Sequence, residues 1–442
     1  MNRDRTISEP LIIPRDQHSV SRTQISRAAL NVLYRLKEAG YESYLVGGGV
    51  RDILLGVRPK DFDVATAAHP EQVKALFRNC RLIGRRFRLA HVRFGREIIE
   101  VATFRGAAAD NAEMEGDAAV LDEHGRILRD NVYGSLEEDA WRRDFSINGL
   151  YYSVEDFSIR DHVGGLDDLR AGTIRLIGDP QVRYREDPVR MLRAVRIATK
   201  LGFSIEPGTL EPIPQLAYLL RQVPPARLFD ETLKLFMSDH SSATFDALRE
   251  FGLFEPLFPR TETAFAGPYG ARMVAFVRRA LANTEARLAQ DKPVTPAFLF
   301  AALLWPAVRT RAVAMREEGA TRAQALAAAA HEVTAAQVGS VSLPKRFSTP
   351  MREIWQLQPR FESRRGKRPL RLLEHPRFRA AYDFLLLRAE TGDADPALAQ
   401  WWTDMQSADP NAREALSRAE PAKRTRRRGR RRRKRTAESA SS

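Results

Sequence analysis

Cysteine is almost missing: the 442-residue chain has one, Cys80. A single cysteine excludes an intrachain disulfide and a cysteine-rich zinc site, and it sets cytoplasmic residence as the expectation. Histidine is scarce as well, with eight residues and no metal-ligand spacing among them. No run approaches the roughly 18 apolar residues of a spanning helix. The opening MNRDRTISEPLIIPRDQ lacks the apolar stretch of a signal peptide. No integral membrane segment is therefore expected. The common glycine-rich phosphate motifs are also missing. After Gly47 and Gly49 a G-x-G-x-x-G pattern needs glycine at position 52, where Asp52 stands, and the P-loop lysine and hydroxyl are absent.

What the chain has in excess is positive charge, unevenly spread. Lys423 to Arg435, KRTRRRGRRRRKR, holds 11 basic residues in 13; removing those charges from the net +15 leaves +4 for all the rest. Like charge cannot collapse onto itself, so this tail is expected to be disordered and open to a polyanion. Arginine pairs with phosphate in a bidentate way, which makes nucleic acid the favoured partner. Lys423, Arg424, Arg426, Arg427, Arg428, Arg430, Arg431, Arg432 and Arg433 are the candidate RNA contacts. Peripheral contact of the tail with a membrane surface stays open.

A hydrophobic fraction of 43% is ample for buried cores, and the length suits two to four modules. Residues 1–22 are polar with two prolines and read as a flexible arm. The stretch SRTQISRAALNVLYRLKEAG is a helix, and YESYLVGG, KDFDVATA, CRLIG, LAHVRFG and EIIEVATFRG read as strands. The acidic, periodless segment after Gly106 reads as a long loop. AWRRDFSINGLYYSV is expected to resume a helix, and the next stretch to be a hairpin-bearing connector. From Asp187 helical patterns dominate to about residue 400. The fold class is therefore α+β: a small mixed-sheet head, an elongated all-helical neck and body, and a disordered basic tail. The expected bounds are a head over 23–170, a neck over 171–258, a body over 259–415 and a tail over 416–442.

Asp61, Phe62 and Asp63 carry the first chemical signal. On a strand, residues two apart share a face, so Asp61 and Asp63 stand together while Phe62 turns inward. Two close carboxylates repel unless a cation sits between them. Mg²⁺, with Mn²⁺ as its substitute, suits one or two carboxylates plus phosphate oxygens. Glu100 interrupts the apolar strand EIIEVATF as a third acid. Upstream, Gly47 and Gly48 let backbone N–H groups approach phosphates, and Arg51 lies within reach of the same place. Glycines for phosphates, an arginine to neutralise them and paired aspartates for a metal together describe a nucleotidyl-transfer site.

These residues resemble a known family. LVGGGVRDILLG followed by KDFDVAT is similar to the first signature of the polymerase-β-like nucleotidyltransferases, in the branch of class II CCA-adding enzymes and bacterial poly(A) polymerases. RRDFSINGLYY (Arg142 to Tyr152) resembles the second signature, and GDPQVRYREDPVRMLRAVRIATKLGF (Gly178 to Phe203) resembles the nucleotide-recognition signature. The resemblance covers roughly residues 40–240. It implies Asp61 and Asp63 as metal ligands, Glu100 as a third carboxylate, and Asp144 as a further member of the catalytic set. It places Gly47, Gly48, Arg51, Arg143, Asn148, Asp187, Arg190 and Arg193 at nucleotide-contacting positions. Asp187 and Pro188 also suit a helix start. Arg190, Arg193 and Arg196 share a face, and Glu186 and Asp187 cannot pair with all three. In the family, the acid and arginine of E-D-x-x-R read a base edge. An accepting Asp187 and a donating Arg190 suit adenine and cytosine alike, so the motif does not separate A-only from C-then-A addition.

Arg81–Gly106 and the arginine tail resemble the poly(A) branch more closely, and no His-Asp dipeptide marks an appended phosphohydrolase domain. The expected activity is template-independent transfer of AMP from ATP to RNA 3′ ends, in a tailing role that promotes RNA decay. The expected protein is a monomer, with RNA-degradation machinery as an open partner. CCA addition to tRNA is the alternative, and a catalytically dead RNA-binding adaptor a third reading. His91 is read as structural, and Arg227 with Glu231 as a structural i, i+4 pair. Trp305, Trp355, Trp401 and Trp402 are read mostly as core.

Overall fold

The computed structural model describes residues 9–84, 88–106, 120–121, 127–129 and 132–418, those at 120–121 and 127–129 by backbone alone. The Arg-rich tail lies outside the described residues. The chain forms two compact units, 1–351 and 352–442. The helical body expected over 259–415 is thus divided between them.

The first unit opens on a strand. β1 (Leu11–Ile13) pairs antiparallel with β10 (Ile159–Asp161), His18 Nε2 meets the Phe157 carbonyl at 2.9 Å, and Val20 is fully buried. The flexible arm expected over 1–22 is corrected from residue 11 onward. Ile13 is buried where the strand meets the sheet, and pairing satisfies backbone groups that an arm leaves to water.

The main sheet adds six strands to these two: β2 (Ser43–Val46), β3 (Asp63–Thr66), β4 (Cys80–Ile83), β5 (Leu89–Phe94), β6 (Glu97–Thr103) and β9 (Leu150–Ser153). Their order across the eight-stranded sheet is β1-β10-β9-β2-β3-β6-β5-β4. Only β3 and β6 run parallel, with Asp63 beside Glu100 and Thr66 beside Thr103; every other neighbour is antiparallel. β7 (Val120–Leu121) and β8 (Ile127–Arg129) form a separate ladder inside the segment expected as a loop. One face of the main sheet is covered by α1 (Arg27–Glu38) and α3 (Pro70–Leu76). Ser26 caps α1 through the Ala29 N–H, and Gly40 follows its end at φ 82°; the helix expected over residues 21–40 thus begins only at Arg27, after a 3-10 turn over Arg22–Gln24.

The helix expected over AWRRDFSINGLYYSV is corrected too. α4 (Leu136–Arg142) stops at Arg142, a 3-10 turn spans Ser146–Asn148, and Leu150–Ser153 is β9, buried throughout between β2 and β10. A run buried on both faces carries no alternation, so periodicity does not separate strand from helix there. α5 (Gly165–Arg170) packs on the 3-10 turn. Its Asp168 accepts from Ser146 Oγ at 2.5 Å.

Beyond the main sheet the chain is helical apart from a short parallel pair, Thr173–Ile174 with Ser204–Ile205. α6 (Pro180–Glu186) and α7 (Val189–Leu201) lead to α8 (Pro207–Leu210), α9 (Ile213–Leu216) and α10 (Pro225–Phe236). The first unit is completed by helices from Ser241 to Gln337, among them the long one over Pro296–Glu317. By length and composition alone that helix passes as a spanning helix, which corrects the expectation that no segment does; 61% of its apolar window is buried inside the protein, which accounts for its composition as core. The second unit has its own core around Phe361, Phe378, Leu385, Trp402 and Met405. Trp305, Trp355 and Trp402 are buried, as expected, and the cluster Arg360, Arg365, Lys367 and Arg368 is exposed.

Gly165 ties α5 to the 3-10 turn that carries Asn148. A Cβ there would lie 2.1 Å from the Ser146 carbonyl oxygen, so a side chain must push the 146–148 turn aside. Gly165→Ala is expected to cost about 1–3 kcal/mol, measured as a lowered urea midpoint with unchanged slope. An unchanged midpoint would mean that the turn yields freely.

Candidate active site

The sheet brings the acids together. Asp63 begins β3 and Glu100 lies beside it on β6, while Phe62 is 8% exposed and turned into the core, as alternation requires. Asp61, just before the strand, is exposed. Burial first, and the Glu100 carboxylate second, push the Asp63 carboxyl up to about 6. On the far side of Glu100, His91 on β5 meets it at 3.1 Å.

Gly47 forms the other wall. It turns β2 into α2 (Gly48–Leu54) at φ 69°, a conformation that favours glycine. A Cβ at Gly47 would project to 3.6 Å from Arg143 Nη1 and 3.8 Å from Asp63 Oδ2. The missing side chain therefore keeps open the space between a guanidinium and a carboxylate. Arg143 itself is held from behind: Asp139 Oδ2 accepts from its Nη2 at 3.1 Å, and the Tyr151 hydroxyl accepts from its Nε at 2.7 Å.

Arg51 is not where the sequence reading puts it. Rather than standing free toward phosphate, it is 5% exposed. Its Nε and Nη2 donate to Asp52 Oδ1 at 2.9 and 2.6 Å, and its Nη1 donates to Asn148 Oδ1 at 2.7 Å. The adjacent carboxylate captures it. A Cβ on Gly48 would still come to 3.3 Å from Arg51 Nη2, so the guanidinium underlies the glycine turn.

Asn148 passes the connection on. Its Nδ2 donates to Asp144 Oδ1 at 3.0 Å, and Asp144 Oδ2 accepts from Arg193 Nε at 2.7 Å and also from Nη2. Burial opposes the charge on Asp144, but Arg193, Asn148 and the Phe145 N–H outweigh it and hold the carboxyl far below the ordinary carboxylate range. The arginine stripe is thus partly neutralised by an acid 49 residues away, one that the sequence reading did not count among its partners. Arg190 Nη1 bonds to Glu186 at 3.0 Å and to the Arg183 carbonyl at 2.7 Å. Arg196 Nε is buried without a hydrogen-bond partner.

Asp187 accepts from the Val189 N–H at 3.3 Å, which agrees with a helix start, and from Arg227 Nη2 of α10 at 2.7 Å. The expected Arg227–Glu231 pair is therefore corrected: Glu231 takes Lys234 at 2.8 Å instead. On an amphipathic helix both spacings are available, and the half-buried Asp187 carboxylate holds Arg227 at 2.7 Å.

Six further residues complete the site that the sequence reading did not single out for it: Asp52, Asp139, Tyr151, Arg183, Lys200 and Arg227. Asp139 lies four residues before Arg143, a spacing that identifies helical ion pairs. Arg183 is found only in three dimensions. Its Nη2 donates to the carbonyls of Arg142 and Arg143 at 2.7 and 2.8 Å, and its Nη1 to Glu186 at 2.7 Å. It clamps the end of α4 onto α6, one helix ahead of the arginine stripe. Burial pulls it down to about 10 and leaves it charged at neutral pH.

Among the described residues no group of three or more His, Cys, Asp or Glu is gathered as a metal cage. The acids present are the exposed Asp61 and the Asp63–Glu100 pair, opposite an open glycine turn. That donor set fits a hard divalent cation that keeps waters and takes substrate oxygens.

Three family models match successive parts of the chain. Residues 43–175 match the family described as Poly A polymerase head domain. Residues 202–265 match the probable RNA and SrmB-binding site of polymerase A, and residues 318–436 its arginine-rich C-terminus. Poly(A) polymerase I of Escherichia coli O157:H7 is 54% identical over 424 residues, 94% of this chain and 91% of that protein. The CCA-adding enzyme of Lactobacillus gasseri is 36% identical over 232 residues, 52% of this chain and 55% of that protein. The crystal structure of the Bacillus stearothermophilus CCA-adding enzyme in complex with CTP superposes with a TM-score of 0.56 at 26% identity, covering 86% of this chain and 82% of that one.

The elevated Asp63 carboxyl gives a test with a definite sign. Its folded value, about 6, lies above the ordinary 3.8, so ionised Asp63 weakens the fold at neutral pH, and that cost is relieved as pH falls through 6 toward 4. Asp63→Asn is expected to raise the unfolding free energy at pH 7.5 in chelator by on the order of 1–2 kcal/mol. The gain should vanish near pH 4, and added divalent cation should stabilise the wild type more than the variant. Urea unfolding at both pH values measures this.

Proposed function

The chain belongs to the bacterial poly(A) polymerase family, and we propose that the residues gathered at β3, β6 and α7 carry its template-independent transfer of AMP to RNA 3′ ends. The observation that supports this best is the register of Asp63 on Glu100, facing a turn where Gly47 leaves room beside Arg143. ATP and RNA are the substrates, and a divalent cation, here proposed as Mg²⁺, would be held by Asp61 and Asp63 with Glu100 alongside. Such a cation lowers the pKa of an attacking hydroxyl and steadies a leaving pyrophosphate.

The reaction forms a bond from the RNA 3′ oxygen to the α-phosphorus of ATP and breaks the bond to pyrophosphate, and the hydroxyl proton leaves to solvent. Gly47 and Gly48 bring backbone N–H groups to the triphosphate, and Arg143 offsets its charge. Asp144 is committed to Arg193 and Asn148, which favours Glu100 as the third carboxylate. Asp144 and Asn148 then serve to fix Arg193 and Arg51. Asp187 and Arg190 read the base edge, with Arg227 orienting the aspartate. Asp187 accepts from the exocyclic amino group of adenine and Arg190 donates to a ring nitrogen, which disfavours guanine and uracil.

CCA addition shares these motifs and the fold, and a separate observation disfavours it: the sequence match to the CCA-adding enzyme of Lactobacillus gasseri runs over about half of the chain, whereas the match to poly(A) polymerase I runs over 94%. On the same reading the protein is a cytoplasmic monomer whose tailing promotes RNA decay. The test supplies purified protein with divalent cation, an unstructured RNA and one labelled NTP at a time. Long tails from ATP alone are expected. Addition that halts after C, C and A on a tRNA lacking its end would overturn the assignment.

A further inference from the structure

The sheet face that bears the acids continues past them. In-register pairing sets Asp63, Glu100, His91 and Arg81 in one row across β3, β6, β5 and β4. Directly paired residues share a face, so the four side chains project to the same side. Two residues along, the next row on that face carries Ile98 of β6 paired with Arg93 of β5. The opposite face is the core: Val64, Ala90, Val92, Ile99 and Val101 are at most 2% exposed. The near face is not: Arg81, Arg93 and Glu100 are exposed, and Ile98 is 46% exposed.

The two ends of this row differ. On the β2 and β9 side of Asp63 stand the glycine turn, α2 and Arg143, the space assigned above to the triphosphate. On the β5 and β4 side the charge changes sign, from Glu100 through His91 to Arg81. Among the described residues the Arg81 side chain makes no hydrogen bond or ion pair; only its backbone is engaged, in the β4–β5 ladder. A surface arginine side chain without a partner gains little for the fold, and neither does a solvent-exposed isoleucine on the same face.

We propose that the open face of β4 to β6 is the seat of the last nucleotides of the RNA acceptor. This rests on the function proposed above. A 3′ hydroxyl that reaches Asp63 and Glu100 brings its own phosphodiesters with it, and they need positive charge within a few ångströms. Strand spacing of about 4.8 Å puts Arg81 roughly 10 Å beyond Glu100 and 14 Å beyond Asp63. That is too far to serve the reacting α-phosphate and near enough to serve the acceptor's backbone. Arg93 adds a second positive group, although its Nε also bonds to the Gly95 carbonyl at 2.9 Å. Ile98 offers an apolar surface to a base with no preference for its identity, as suits an enzyme that accepts unrelated 3′ ends. His91, tied to Glu100, keeps that carboxylate turned along the row.

The test is steady-state tailing of an unstructured RNA 15-mer with Arg81→Ala, Arg81→Glu and Arg81→Lys, varying RNA and ATP separately. Arg81→Ala is expected to raise the RNA KM about five- to tenfold, Arg81→Glu further, and Arg81→Lys least. The KM for ATP and kcat at saturating RNA should hold. The slope of log KM for RNA against log salt should fall by about 0.7, the value for one phosphate contact on a single strand. An RNA KM and salt slope unchanged in Arg81→Glu would overturn the proposal, as would a loss that falls on ATP. Neither result touches the catalytic reading, which the wild-type control tests on its own: a wild type that adds no AMP removes the premise, not the seat.

Discussion

A single line of charge-assisted hydrogen bonds holds the site: Lys200 to Asp52, Asp52 to Arg51, Arg51 to Asn148, Asn148 to Asp144, Asp144 to Arg193. It starts and ends on α7 and passes through α2 and the turn before β9. Three sequence segments that are far apart in the chain are thereby fixed as one body. Asp52 and Asp144 are the anions that make this permissible, because arginines this crowded and buried would otherwise repel. Removing the Asp52 carboxylate leaves Arg51 as an uncompensated buried cation, typically a loss of about 3–5 kcal/mol, whereas Arg193 is half-buried and loses less with Asp144. Arg51 and Arg193 thus depend on their acids before they can serve any substrate.

The same logic explains why Asp63 stands apart. Burial and its sheet neighbour Glu100 raise its carboxyl, where that of Asp144 is lowered. Two aspartates of one site are pushed in opposite directions. The one with arginines is structural charge already committed inside the protein, and the one with carboxylates carries an unmet demand for a cation. That contrast underlies the proposed division of labour, with Asp61, Asp63 and Glu100 toward metal and Asp144 toward the arginine stripe.

Much of this was legible in the sequence because it obeys short-range rules. Alternation put Phe62 inward and Asp63 outward, and the acid in EIIEVATF stood out against its apolar run. Helix α1 showed in its apolar spacing. The failures have physical causes as well. β9 is buried on both faces and so loses the period that marks a strand. β1 is only three residues long and is made a strand by β10, which lies some 150 residues later. The partners of Arg51, Arg193 and Arg227 are chosen by tertiary contact, and spacing along one helix cannot reveal them. Arg183 contacts two backbone carbonyls, and carbonyls leave no signature in a sequence.

The central claim is that the Asp63–Glu100 edge performs the chemistry while the Asp144–Arg193 line holds the framework. It is tested most directly by Asp63→Ala, with AMP incorporation into RNA and thermal unfolding measured on the same preparation. The expected result is incorporation reduced to background by a protein that melts no earlier than the wild type. Unchanged incorporation by a well-folded variant would contradict it.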